Sequence, residues 1–274
     1  LQASLRMRTS SRYTNLGVKD VLAALSQIGL PLYLAKADIR QRYRRSILGP
    51  WWITISTGVM IACIGVIFGT IFKSPMQEFL PFLSAGLIIW GFISTTVMDA
   101  TNVLISAEAI IKQLPIPVFS HILRMVGRNL IVFFHNLLIF PIVCLCVQKG
   151  VNWNVLYFIP GLVIVTLNLL WISLLLAVVC TRFRDMTQIV GSFLQIAFYV
   201  TPIIWMPSLL PARTSVMLLD PNPIYHLLAI VREPLLGISP SPANWLVSIA
   251  LLLVGSLASL LLFNKYRARI SYWL

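Results

Sequence analysis

Apolar positions along this chain fall into long runs parted by short polar stretches that are mostly basic. A helix needs about 20 mainly apolar residues to cross a bilayer. Six runs reach that length, at 51–72, 81–105, 126–147, 155–180, 187–206 and 244–264. The pattern predicts an all-α integral membrane protein with six transmembrane helices. Ahead of the first run, Ala35, Ile39, Tyr43 and Ile47 recur four apart, with Lys36, Arg40, Arg42, Arg44 and Arg45 between them. That period predicts an amphipathic helix over 31–48 lying in a membrane surface. Gly49 can end it and Pro50 can start the next helix. Trp51 and Trp52 then fall where a span meets the headgroups.

Two connections depart from simple loops. Between the fifth and sixth runs, 207–219 and 224–236 are each 13 residues, too short to cross. Asp220-Pro221-Asn222-Pro223 separates them, and its prolines forbid one continuous helix. Two short helices re-entering from the outer side fit this pattern; so does a hairpin resting on the outer leaflet. After the second run, Ser106 and Glu108 are placed to start a short helix over 107–114, which Pro115 and Pro117 stop. A docking element exposed on the cytoplasmic face and an ordinary connector both suit that stretch. In the very short loop at 181–185, Asp185 is placed to cap the fifth span.

Composition removes other classes. The 274 residues are 58% hydrophobic and 11% charged, against about 25% charged in a soluble domain. The net charge of +13 does not point to nucleic acid, because the basic residues sit between apolar runs rather than on one soluble face. Their placement orients the chain instead. With the N-terminus inside, only Lys73, Lys149, Arg213 and Arg232 of the 21 Lys and Arg fall outside, and both termini are cytoplasmic. About fifty mixed residues precede the first span, which argues against a cleavable signal peptide. Cys63, Cys144, Cys146 and Cys180 lie in or beside apolar runs without metal-ligand spacing, and read as small core residues.

Catalytic signatures are missing. There is no phosphate-binding G-x-x-x-x-G-K-[ST] loop, no G-x-S-x-G elbow and no H-E-x-x-H. Asp99 is the one carboxylate well inside a span. It can pair with Arg124 or Arg128, line a pore or relay protons. Aromatic residues are spread over several spans, and flat rings facing a shared cavity suit a long polar polymer. Trp90, Phe134, Tyr199 and Trp205 are the channel candidates among them.

The stretch R-Y-R-R-S-I-L-G-P-W-W at 42–52 resembles the entrance of membrane subunits of ABC exporters for O-antigen, capsular polysaccharide and teichoic acid. The resemblance continues through IIKQLPIPVFSHIL at 111–124, TRFRDMTQIVGSFLQIAFYVTPIIW at 181–205 and LDPNPIYHLLAIVREPLLG at 219–237. It implies a channel formed by two copies of one six-span chain in the bacterial inner membrane. Two copies of a separate ATPase carry ATP and Mg, and the chain itself holds no cofactor, metal or catalytic residue. It further implies a coupling helix at 107–117 with Glu108, Ile111, Lys112 and Gln113, and outer gate helices at 207–236 with Asp220, Asn222, Tyr225 and Arg232. The helix at 31–48 becomes the interface helix, whose Arg40, Arg42, Arg44 and Arg45 either hold the headgroup of a lipid-linked polysaccharide or simply attract anionic lipid. Residues 1–30 have no firm counterpart and are expected to be a flexible or surface-bound extension. Related exporters of drugs or lipids, and a membrane-embedded glycan-modifying enzyme, are the alternatives; the enzyme lacks a well-placed mid-span acid or histidine.

Overall fold

The computed structural model describes residues 16–42, 44, 48–49, 51–150 and 152–274. Tyr43, Arg45, Ile47 and the Pro50 half of the expected hinge lie outside that set. The regular elements among the described residues are all helices, with no strand. In chain order the helices are α1 (Leu16–Ser26), α2 (Gly29–Arg42), α3 (Trp51–Ile71), α4 (Met76–Ser106), α5 (Glu108–Gln113), α6 (Phe119–Leu137), α7 (Ile139–Cys146), α8 (Phe158–Arg182), α9 (Met186–Val200), α10 (Ala212–Leu219), α11 (Pro223–Leu235) and α12 (Pro242–Trp273).

Five stretches are long and apolar enough to cross a membrane: α3, α4, α6 with α7, α8 with the short 3-10 turn before it, and α12. The break between α6 and α7 at Leu138 has a local cause: Pro141 in the first turn of α7 has no N–H to offer back to Leu137. The predicted run 187–206 is helical only over Met186–Val200, 15 residues or about 22 Å. Pro202 forces Thr201 into an extended conformation (ψ 136°), and the apolar run goes on as a strap rather than as helix. The strap is packed: Ile203 is fully buried, and its carbonyl lies where a side chain on Gly86 of α4 would stand.

α4 is the centre of the molecule. Its 31 residues include a nearly unbroken buried run from Phe79 to Ile93. α3, α6, α7, α8, α9 and α11 all pack on it. α3 meets α4 along a narrow stripe of Ile61, Gly65 and Gly69, where the glycines admit Leu80 and Met76, while the Thr54 hydroxyl donates to Asn136 Oδ1 on α6 (3.2 Å). Ile64 and Phe68 are half-buried against the core, and the opposite face of α3, including Val59, Val66 and Ile67, is exposed. One apolar core runs along the spans. A second, around Leu104, Ile122, Val178 and Phe263, lies at the end of the molecule that carries α5.

Two expectations change at the N-terminus. The helix predicted over 31–48 is Gly29–Arg42; Arg44, Leu48 and Gly49 lie in turns, and Gly49 takes a left-handed φ of 58° that suits a hinge. Residues 16–26, expected to be flexible or surface-bound, form a docked helix that meets α2 at 70°. The contact is close: a side chain on Gly17 would come within 2.7 Å of Asn264 on α12. The Val18 N–H donates to Asn264 Oδ1 (3.0 Å). Two predicted caps also differ. Ser106 ends α4 and bonds back to the Val103 carbonyl, while Asp185 precedes α9 without a capping bond. Of the cysteines, Cys144 and Cys180 are core residues, whereas Cys63 and Cys146 are exposed on their helices.

Candidate functional site

α5 is a six-residue knuckle held between the ends of α4 and α6. Leu114 takes an extended conformation before Pro115, which stops the helix. Glu108 and Lys112, four apart, form an ion pair of 2.6 Å on its open surface. Gln113 and Leu114 are exposed. Ile111 points inward and packs on the second core. The knuckle therefore presents a polar outer face and is anchored by one isoleucine.

What holds the knuckle in place was not foreseen. The Asp20 carboxylate on α1 accepts from the backbone N–H groups of Val118 (3.1 Å) and Phe119 (2.9 Å), at the start of α6. It also accepts from Arg267 Nε on α12 (2.6 Å). Two of the four N–H groups that a helix start leaves open are satisfied this way. A cavity of 460 Å³ lies between α1, the α5–α6 connection and α12. Asp20 is the one carboxylate in the first 30 residues, and that isolation is the only signal the sequence offered.

A second charged cluster joins α2, α4 and α6. Arg128 Nη2 pairs with Asp99 Oδ2 (2.6 Å), one of the pairings the sequence allowed. Asn129 Nδ2 donates to the same oxygen (3.1 Å). Arg124 is engaged elsewhere, in a two-point bond to Asp38 on α2 whose Nε arm measures 2.7 Å. Arg128 Nη1 also approaches Asp38, at 3.9 Å. Leu32 and Ala35 of α2 lie over Gly127 of α6. These groups border a cavity of 710 Å³ that is also lined by Arg42 and His121. The His121 Nε2 is buried without a partner. Of the predicted interface arginines, Arg42 reaches this cavity, Arg40 and Arg44 are exposed away from it, and Arg45 lies outside the described residues.

The channel candidates separate into two places. Trp90 and Tyr199 line one groove of 530 Å³ between α4 and α9, together with Ser94, Thr95, Gln195 and Phe198. Trp205 joins them through its Nε1, which donates to the Tyr199 carbonyl (3.1 Å). Phe134 does not: it lines an apolar cleft between α6 and α8 with Phe158 and Leu162. Its neighbour Phe133 turns into the core against Phe92 (5.0 Å between centroids). Periodicity alone could not separate them.

At the far end from α5, α10 and α11 meet at Asp220–Asn222. The Asn222 side chain caps α11 by accepting from the N–H groups of Ile224 (3.0 Å) and Tyr225 (3.3 Å). Its Nδ2 ties that cap to Thr201 on the strap (3.0 Å). Asp220 is exposed, and its carbonyl meets His226 Nε2 at 2.9 Å. Arg232 is only 2% exposed; it lies 4.1 Å over the Phe82 ring and donates to the Pro202 carbonyl. Burial pushes its guanidinium down to about 10, so it stays charged at neutral pH. Strap, α4 and α11 are thus joined at one cation. No group of His, Cys, Asp or Glu among the described residues could hold a metal ion.

Stacked apolar spans, a polar knuckle at a strongly basic end and a broken helical pair at the other describe a multi-pass membrane transport subunit. The family model of the ABC-2 type transporter matches residues 32–236, and the chain belongs to that family. Membership implies an ATPase partner subunit. The chain is 25% identical over 197 residues to an O-antigen export system permease protein of Myxococcus xanthus, covering 70% of this chain and 75% of the relative. It is also 25% identical over 217 residues to an O-antigen export system permease protein of Klebsiella pneumoniae, covering 74% of this chain and 79% of that protein.

Proposed function

We propose that this chain is the channel-forming subunit of an ATP-driven exporter that moves a lipid-linked polysaccharide, of O-antigen or capsular type, out across the bacterial inner membrane. The observation that carries this is the knuckle α5, a rigid polar helix presented at the basic end of a fold whose relatives bear the name of O-antigen permeases. Charge supports the orientation. Lys112, Arg182, Arg184, Lys265, Arg267 and Arg269 gather at the α5 end, while Lys73, Lys149, Arg213 and Arg232 lie at the other.

Two copies of the chain enclose the path, and two copies of a separate ATPase bind ATP and Mg below them. The anionic headgroup of the lipid carrier is met by Arg42, at the mouth of the 710 Å³ cavity. Closure of the ATPase dimer pushes on Glu108, Lys112 and Gln113. The glycan passes the groove of Trp90, Phe198 and Tyr199, with Trp205 beside it, where ring faces and interspersed hydroxyl and amide groups allow contact without tight holding. The outer pair α10–α11, with Asp220, Asn222, Tyr225 and Arg232, acts as the gate.

The test is to purify the chain with its ATPase in lipid nanodiscs and ask which compounds raise ATP hydrolysis. Stimulation by a lipid-linked glycan is expected; stimulation only by drugs or simple lipids would replace this proposal with a related exporter.

A further inference from the structure

A cavity of 490 Å³ opens at the end of the molecule opposite α5, between the start of α4, the chain at Lys149, the strap at 206–208 and α11. Four charged side chains border it: Glu78, Lys149, Arg232 and Glu233. Among the described residues no ion pair joins any two of them. Arg232 is buried, yet its Nε has no hydrogen-bond partner. A buried guanidinium with an idle N–H is costly unless something arrives to accept from it. Tyr225 adds a hydroxyl to the same wall.

We propose that this cavity is a binding site for a sugar unit of the exported glycan, engaged after the cargo has passed the membrane centre. The inference rests on the export function proposed above and adds a site to it. An anion would gain from Lys149 and Arg232 but lose to the two carboxyl groups, and a simple cation would meet the reverse. A neutral polyol uses all four, since each sugar hydroxyl both donates and accepts, and hydrogen bonds to charged groups are the stronger kind. The volume is in the usual range for small-ligand sites, about 300–1,000 Å³. The Phe82 face is already covered by Arg232, so the sugar is gripped by its hydroxyl edge rather than by stacking. The Arg232 Nε is itself enclosed, so a sugar reaches it only as the strap held through Pro202 shifts, and binding then acts on the cation that joins strap to gate.

The test uses the permease–ATPase complex in nanodiscs, in native form and with Glu78→Gln plus Lys149→Gln, two positions outside the packed core. The probe is the neutral oligosaccharide released by mild acid from the host's lipid-linked glycan, followed by saturation-transfer NMR. Binding to the native complex, weakened about tenfold or more in the double variant, is expected from the loss of charge-assisted bonds. Equal binding to both overturns the site. So does loss of co-purifying ethanolamine lipid from the variant with sugar binding unchanged, which would assign the cavity to a zwitterionic headgroup. Stimulation of ATP hydrolysis by the intact lipid-linked glycan is measured in parallel on both complexes. If the native complex responds but sugar binding ignores the double variant, only the site fails; if the native complex never responds, the export function fails and takes the site with it.

Discussion

Asp20 gathers three donors onto one carboxylate, two from the first turn of α6 and one from α12. Asp20→Ala strips all three of their acceptor in a largely buried place, and is expected to cost about 1–3 kcal/mol. Thermal unfolding of the solubilised protein reads that loss. Asp20→Asn keeps an oxygen for one backbone N–H and should fall between the two. A different residue tests close packing: a side chain on Gly161 of α8 would stand 2.3 Å from the Ile230 carbonyl of α11, and backbone does not yield as a side-chain tip does. Gly161→Ala is therefore expected to force α8 and α11 apart at about 1–3 kcal/mol, again seen as a lower unfolding temperature. The Asp99–Arg128 bond was open to sequence because one carboxylate stood alone inside a span. Asp38 and Asp20 were not, since their partners are 86 and 247 residues away and proximity depends on how α1 and α2 dock.

Among elements, α5 joins a local pattern to a function. Ile111→Pro removes a helical N–H and the side chain that anchors the knuckle, about 3 kcal/mol or more for the helix alone. The complex is expected to keep hydrolysing ATP while export stops; export at the native rate would refute the docking role of α5. The long spans were legible because twenty apolar residues in a row have few other uses. The early end of α9 was written in Thr201-Pro202 but masked by the apolar residues that follow. α10 and α11 were legible as separate short helices because Pro221 and Pro223 interrupt a continuous one. The first, expected over 207–219, is α-helix only over Ala212–Leu219, with a 3-10 turn at Pro207–Leu209 before Pro211. α1 gave little away, because its docking depends on Asn264 and Arg267 at the opposite end of the chain.

On the scale of the molecule, its charge is divided by end. Replacing Arg42, Arg44 and Arg45 with Gln separates two uses of that charge: export, followed as glycan at the cell surface, should fall further than the amount of protein reaching the membrane. Equal falls would leave the arginines with orientation alone. The helix at the centre carries a further consequence. α4 has 31 residues, which makes it about 46 Å long, well beyond a bilayer core of about 30 Å. Its last residue leads into the knuckle, and Glu78 and Phe82 near its first belong to the sugar cavity. Six helices pack on it and Pro81 leaves out one backbone bond near its first turn, so it moves with its neighbours rather than alone. A thrust of the motor on the knuckle would then reach the far face through the packed bundle as one body, so the timing of the two faces is set by the core around α4.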